Sequence, residues 1–379
     1  MIPYARPKIL TKDIKRVNKV LNSQYLTTGP NVKQFEYKLS RKFGSKYAVS
    51  VNSATSALHL SCLAMGLSKG DYLWTSSITF VASANCALYC SAKVDLIDID
   101  PKTLNISILK LKEKLKISKK KNKLPKILIP VHLGGNPCDM SELKKLSRIY
   151  KFKILEDASH AVGSKYNNNW IGSCKYSDAC VFSFHPVKII TSGEGGAMLT
   201  NNKKIFNKFS LLKSHGIVRK TSKFSWYYEQ KYLGYNYRLD DIGSSLGISQ
   251  LSSMNNFIKE RNKIVKYYKE NLLSKNISFQ EITNNSSSSY HLFIIRSAPK
   301  LRNLIYNKLR KNGIITSFHY IPIYRHPFYK KFRFSKKEFS VSEQYFKDGI
   351  SIPIYPGLER KIQKKIIGII NKILISKDN

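Results

Sequence analysis

Lys188 stands in the segment DACVFSFHPVKIITSGEGGAML, where a β-type run (ACVFSF) carries it to a strand end and SGEGG turns the chain back into another strand. A lysine buried in such a place has its pKa lowered, and the neutral amine becomes a usable nucleophile. Read on this segment alone, it is a surface lysine that follows a strand. Asp157 closes FKILED and is followed by ASHAVG. A carboxylate there either aims at a ring nitrogen and keeps it protonated or serves as an ordinary strand-end or helix-capping group. His160, three positions on, either faces a ring or simply packs. VNSATSALHL (51–60) passes from strand to helix through small hydroxyl residues. A helix start offers free N–H groups and the positive end of the dipole to an anion. Ser53, Ala54 and Thr55 are thus candidates for holding a phosphate, with an unliganded N-cap as the plain alternative. Phe80, after WTSSIT, is either a stacking face or a core aromatic.

An amine, an acid, a phosphate cradle and a flat face are together the four demands that pyridoxal phosphate makes of a protein. No one of them decides the matter, since lysine occurs throughout this chain.

The elements that must position these groups alternate. KYAVSV (46–51), YLWTSS (72–77), KVDLIDID (93–100), KILIPVHL (126–133) and FKILED (152–157) read as strands. SALHLSCLAMGL (56–67), ITFVASANCALYC (78–90) and DMSELKKLSRIYK (139–151) read as helices between them, and KLKEKLKISKKKNKLPK (110–126) as an amphipathic helix followed by a basic loop. This rhythm predicts a mostly parallel sheet covered on both faces. After about residue 250 a long helix (249–275) leads into a Ser/Asn-rich loop, TNNSSSSY (283–290). A strand (HLFIIRSA), a helix (LRNLIYNKLRKNG), a second strand (IITSFHY) and a helical C-terminus then form a compact α+β unit. The expected division is residues 1–250, a large domain with an N-terminal arm, and 251–379, a smaller C-terminal domain.

With 379 residues, 42% of them hydrophobic, the chain has ample material for a buried interior. No apolar run suits a signal peptide or a membrane span, so a cytoplasmic protein with no membrane partner is the expectation. Six scattered cysteines form no Cys-x-x-Cys pair, which predicts reduced thiols and no metal site. Lys+Arg of 65 against Asp+Glu of 24 gives a net charge of +41, but the lysines are dispersed among Ile, Asn and Ser. No nucleic-acid-binding motif accompanies them, and specific nucleic-acid binding is not expected.

Longer stretches carry a resemblance. LNSQYLTTGPNVKQFE, VNSATSALHL, ITFVASANCALY, VDLIDIDPKTLNI, LEDASHAVGS, FSFHPVKIITSGEGGAMLT, LGYNYRLDDIGSSLGISQL, FHYIPIY and SIPIYPGL follow one another in family order. On these the chain resembles the DegT/DnrJ/EryC1/StrS sugar aminotransferases, fold-type I pyridoxal-phosphate enzymes with a large α/β domain and a small α+β domain. GGNPCD departs from the YGQP type of turn more frequent among them, and HPVKIIT lacks their proline after the lysine. The resemblance implies that Lys188 is the Schiff-base lysine and Asp157 the pyridinium partner. It places His160 beside the ring, Phe80 stacked on it, and Ser183 with Ser53–Thr55 on the phosphate. Asn236 in GYNYRL would reach the cofactor phosphate of a neighbouring subunit, which makes a homodimer with shared sites the expected unit. The strongest likeness is to the pseudaminic-acid branch, which aminates C4 of a UDP-linked 4-keto-6-deoxy-N-acetyl sugar with L-glutamate as donor. GDP-perosamine and dTDP-sugar enzymes are the neighbouring alternatives. By the same resemblance the sugar nucleotide would meet Tyr4, Gln24, Tyr25, Leu26, Thr27, Ala54, Ser183, Asn236, His319, Tyr320, Ile321 and Pro322.

Overall fold

The computed structural model describes residues 1–219, 224–273 and 276–375. The last two residues of the expected helix 249–275, and the last four of the expected C-terminal domain, lie outside the described residues.

Seven strands form the central sheet: β1 (Tyr47–Val51), β2 (Tyr72–Ser76), β3 (Lys93–Ile97), β4 (Ile127–Ile129), β5 (Lys153–Asp157), β6 (Ala179–Ser183) and β7 (Gly196–Thr200). Their order is β1-β7-β6-β5-β4-β2-β3, with β7 antiparallel to both neighbours and every other pairing parallel. The expected strands are recovered with shorter bounds, and the sheet is mixed but mostly parallel.

Side chains alternate across a strand, so successive residues enter opposite layers. In β6, Cys180 and Phe182 join one buried cluster and Ala179 and Val181 the other. The first cluster is closed by α2 (Pro30–Phe43), α5 (Ile108–Lys120), α6 (Met140–Tyr150) and the first half of α8 (Asp241–Asn271). The second is closed by α3 (Ala54–Ala64), α4 (Ala82–Tyr89) and α7 (Lys203–Leu212). The remaining helices are α1 (Thr11–Leu21), α9 (Pro299–Lys311), α10 (Ser340–Asp348) and α11 (Arg360–Ile375). Alternation also sorts the end of β5: Leu155 packs with the α3/α4 layer, so Asp157 points the same way and Glu156 the opposite way. Glu156 accordingly meets His132, whose Nε2 lies 2.9 Å from its carboxylate, behind the sheet.

Helix 78–90 begins later than its sequence suggests. Residues 78–81 are not part of it, and α4 starts at Ala82. The long helix begins earlier, at Asp241, because the Asp240 side chain caps it by accepting from the Gly243 N–H at 2.6 Å. Its glycines and serines had hidden that first stretch.

The smaller sheet has three antiparallel strands, β8 (Ser278–Phe279), β9 (Phe293–Arg296) and β10 (Gly349–Ile352), in the order β8-β9-β10. β10 was not expected. IITSFHY, expected as a strand, is extended but makes only isolated bridges, Ile314 to Ile2 and Ser317 to Ser351. Pro322 follows and offers no N–H to extend a ladder. The expected division after residue 250 falls inside α8, which supplies Met254 and Phe257 to the large-sheet core and Ile264 and Tyr268 to the small one. Among the described residues no helix is long and apolar enough to cross a membrane, and no group of His, Cys, Asp and Glu is arranged to hold a metal ion.

Candidate active site

A cavity of about 440 Å³ opens where β1, β4, β5 and β6 end at their carboxyl termini. Parallel-sheet folds place their ligands at this edge, because the loops there are free to vary while the strands fix their roots. Tyr4, Ser53, Ala54, Thr55, Phe80, Asp157, His160, Ser183, Lys188, His319 and Tyr320, all singled out in the sequence, line it.

Lys188 follows β6 in a turn closed by its own N–H donating to the His185 carbonyl at 2.9 Å. Burial pushes the amine down to about 8, with nearby Asp157 pulling the other way. About a tenth of the amine is therefore neutral at pH 7, against well under a thousandth for a solvated lysine. Lys188 is the one primary amine among the residues that line the cavity.

Asp157 is buried and held at both oxygens. Ser83 Oγ donates to Oδ2 at 2.6 Å and the Ser159 N–H donates to Oδ1 at 3.1 Å. Since the Ser83 proton is committed, Thr79 donates to Ser83 at 2.8 Å, giving a relay Thr79–Ser83–Asp157. Two donors fix the direction of the carboxylate.

Ser53 caps α3 by accepting from the Ser56 N–H at 3.1 Å. The next N–H groups, of Ala54 and Thr55, sit in the first turn, where no intrahelical acceptor exists. Gly196 of β7 lies against this turn so closely that a Cβ there would stand 2.5 Å from the Ala54 nitrogen. Only glycine fits against this helix start. Ser183 adds a hydroxyl from the end of β6.

His160 is held as a neutral ring. Its Nδ1 accepts from the Gly134 N–H at 3.3 Å, so Nε2 carries the proton and donates to Tyr320 Oη at 3.0 Å. Burial, then Lys188 and His319, hold its pKa well below the usual histidine range. His319 is likewise pushed down to about 3 by burial and by Lys188, and its Nδ1 lies 2.9 Å from Ser351 Oγ. Burial also raises the Tyr320 phenol, with Asp157 adding to the effect. Phe80 is 56% exposed on the cavity wall, 6.0 Å from the Tyr320 ring. It does not belong to the core.

Other expected residues lie elsewhere. Gln24, Tyr25, Leu26 and Thr27 are exposed beside the start of α8, where the Leu26 carbonyl accepts from the Asp241 N–H at 2.9 Å. Asn236 is exposed on a segment bridged to Ser214. Ile321 is exposed at the rim and Pro322 is buried beyond it, and neither lines the cavity. The GGNPCD turn is buried behind His160 and contributes the Gly134 N–H. Thr79, Ser83, Ser159 and Glu194 escaped the sequence reading. A signal was present for two of them, since Thr79 and Ser83 are four apart in the segment already read as a helix beside Phe80.

The donor set suits pyridoxal phosphate: an uncovered helix start and a hydroxyl for the phosphate, a doubly anchored carboxylate, and an amine near neutrality beside it. Fold and site together define a fold-type I pyridoxal-phosphate-dependent transferase. The chain belongs to the DegT/DnrJ/EryC1/StrS aminotransferase family, which matches residues 7–371. It is 37% identical over 379 residues to a UDP-4-amino-4,6-dideoxy-N-acetyl-beta-L-altrosamine transaminase of Campylobacter jejuni subsp. jejuni serotype O:23/36 (strain 81-176), covering 99% of this chain and 98% of that protein. Among solved structures, Helicobacter pylori PseC, an aminotransferase involved in the biosynthesis of pseudoaminic acid, superposes with a TM-score of 0.90 at 31% identity, over 98% of this chain and 99% of that one. The putative sugar aminotransferase Spr1654 from Streptococcus pneumoniae, in its PMP-form, gives 0.91 at 28% identity over 99% and 100%. The protein is thus a pyridoxal-phosphate-dependent aminotransferase acting on nucleotide-linked keto-sugars.

Proposed function

We propose that this enzyme moves the amino group of L-glutamate to C4 of a UDP-linked 4-keto-6-deoxy-N-acetylhexosamine, as in pseudaminic-acid biosynthesis. The products are 2-oxoglutarate and the 4-amino sugar nucleotide. Its functional unit is a cytoplasmic homodimer with shared sites, each chain made of a large domain and a smaller C-terminal one that share α8. The observation that carries the chemistry is the Lys188 amine, pushed down to about 8 beside a doubly anchored Asp157. The identity to the altrosamine transaminase supports the substrate class.

Bound pyridoxal phosphate supplies an aldehyde that condenses with amines and a ring that delocalises the electron pair left when a C–H proton departs. The chain's residues do the rest. Ser53, Ser183 and the N–H groups of Ala54 and Thr55 hold the phosphate, with Asn236 of a second copy reaching it. Asp157 keeps the ring nitrogen protonated, and Ser83 and Ser159 keep Asp157 aimed. His160 and Phe80 would flank the ring, and the Lys188 amine would hold the cofactor. The same amine would take the proton from the donor's α-carbon and, in the second half-reaction, give a proton to sugar C4. One residue serves both halves because no other amine among the described residues lines the cavity. Tyr4, His319 and Tyr320 face the sugar nucleotide from within the cavity, and Gln24–Thr27 and Ile321 complete its site at the rim.

Purified enzyme with glutamate and a panel of keto-sugar nucleotides tests the substrate. Amination of the UDP-4-keto-N-acetyl sugar is expected with the highest kcat/KM. A higher kcat/KM with a GDP- or dTDP-linked keto-sugar would replace this assignment.

A further inference from the structure

The Ser-rich segment 283–290 reads in the sequence as a connector, yet Ser289 near its end and His291 just after it are deeply buried, 0% and 1% exposed. Both residues converge on His160. Ser289 Oγ donates to the His160 carbonyl at 3.2 Å, and the Ser289 N–H donates to Ser164 Oγ at 3.0 Å. The His291 ring lies against the His160 ring with centroids 4.4 Å apart, tilted by 44°. Arg261, fully buried in α8, secures the segment from behind. Its Nη1 donates to the carbonyls of Tyr290 at 3.2 Å, His291 at 3.3 Å and Ile354 at 3.0 Å. Gly135 closes the remaining side. At φ +94° a Cβ there would stand 2.8 Å from Ser289 Oγ and 3.0 Å from the His160 carbonyl.

His160 is therefore bounded on every side but one. Gly134 takes its Nδ1, Tyr320 its Nε2, Ser289 its backbone and His291 its ring, and what remains open is the cavity. Interiors are packed too densely for a ring so enclosed to tilt without moving its neighbours. The enclosing segment directly precedes β9 of the smaller sheet, so the clamp ties a cavity wall of one body to the core of the other.

We propose that Ser289 and His291 are positioning residues that set the angle of the His160 ring toward the cofactor, acting through His160 without touching substrate. This rests on the placement of His160 beside the cofactor ring proposed above. The test is a double-mutant cycle in the full-length apoenzyme, titrated with pyridoxal phosphate and followed by its visible absorption and circular dichroism. His291→Ala is expected to weaken cofactor binding on the order of tenfold and to reduce the visible circular dichroism. In a His160→Ala background the same change should add less than about twofold, because its route of action is gone. Equal losses in both backgrounds, or unchanged binding and dichroism in the single variant, would overturn the clamp. Where His291→Ala fails to fold, Ser289→Ala gives the same comparison, with about threefold expected in the presence of His160 and none in its absence. Equal Ser289→Ala effects in the two backgrounds count against the clamp. An unchanged binding constant for His160→Ala itself would overturn the placement of His160, and the clamp with it.

Discussion

The floor of the cavity and its rim are built in opposite ways. Lys188, Asp157, Ser183 and the Ser53–Thr55 turn stand at or just beyond strand ends, and each is fixed by hydrogen bonds or by the sheet itself. Gln24–Thr27, Asn236 and Ile321 are exposed and lie outside that cavity, as do the exposed aromatics Trp226 and Tyr228 on the chain leading to Asn236. The floor residues all come from this chain. The rim residues stand outside the cavity within one chain, and in the proposed dimer a second copy brings Asn236 to the phosphate. Chemistry common to the family belongs to the rigid edge of a parallel sheet, and the choice of sugar belongs to segments that a sheet does not position.

The largest effect belongs to the floor. Lys188→Ala should cut steady turnover with glutamate and keto-sugar by at least about 10³-fold, since anchor and proton carrier are lost together. Turnover within tenfold of the parent enzyme would remove Lys188 from the mechanism. Asp157→Asn, which keeps shape but not charge, should lower kcat by about 10²-fold or more with KM changed little, read from steady-state kinetics.

The rim is tested by complementation. Asn236→Ala should weaken cofactor binding about tenfold on its own, as loss of a hydrogen bond to a charged phosphate. Co-expressed with Lys188→Ala chains, it should recover about a quarter of parental activity, because random pairing makes half the dimers mixed and each mixed dimer carries one intact site. No recovery would place Asn236 on its own chain's cofactor and erase the contrast between floor and rim.

The smallest effect is the pH dependence of cofactor capture by the apoenzyme. A lysine lowered to about 8 deprotonates as pH rises through that value, so the capture rate should climb between about pH 7 and 9 and then level off. A rate still rising steeply above pH 10 would indicate a solvated amine. The same depression has a stability sign. The folded apoenzyme releases this proton at about 8 and the unfolded chain near 10.5, so the penalty of burying the charged amine, full below about pH 8, fades as pH rises toward 10.5.

Much of the floor was legible because strand periodicity and strand-end position are local properties. FKILED announces a strand and fixes which face Asp157 takes, and NSATSAL announces a capped helix start. What escaped depends on contacts between distant segments. Ser83 holds Asp157 from 74 positions away, and Ser289 reaches His160 across 129, so no spacing within a window reveals either pairing. β10 escaped because Gly349–Ile352 follows directly on α10 and precedes a proline, and only pairing with β9 makes it a strand. Lys188 itself looks like a surface lysine in its segment. The burial that lowers its pKa comes from the surrounding cavity, and the family resemblance, not the local pattern, singled it out.

Borohydride reduction of the cofactor-loaded enzyme, followed by peptide mass mapping, reads directly which residue holds the cofactor. Reduction makes the lysine–cofactor bond permanent, and among the many lysines of this chain the site of attachment is then read without inference. One phosphopyridoxyl group per chain is expected, on the peptide that contains Lys188. Label on another lysine, or spread over surface lysines with Lys188 unmodified, would contradict it.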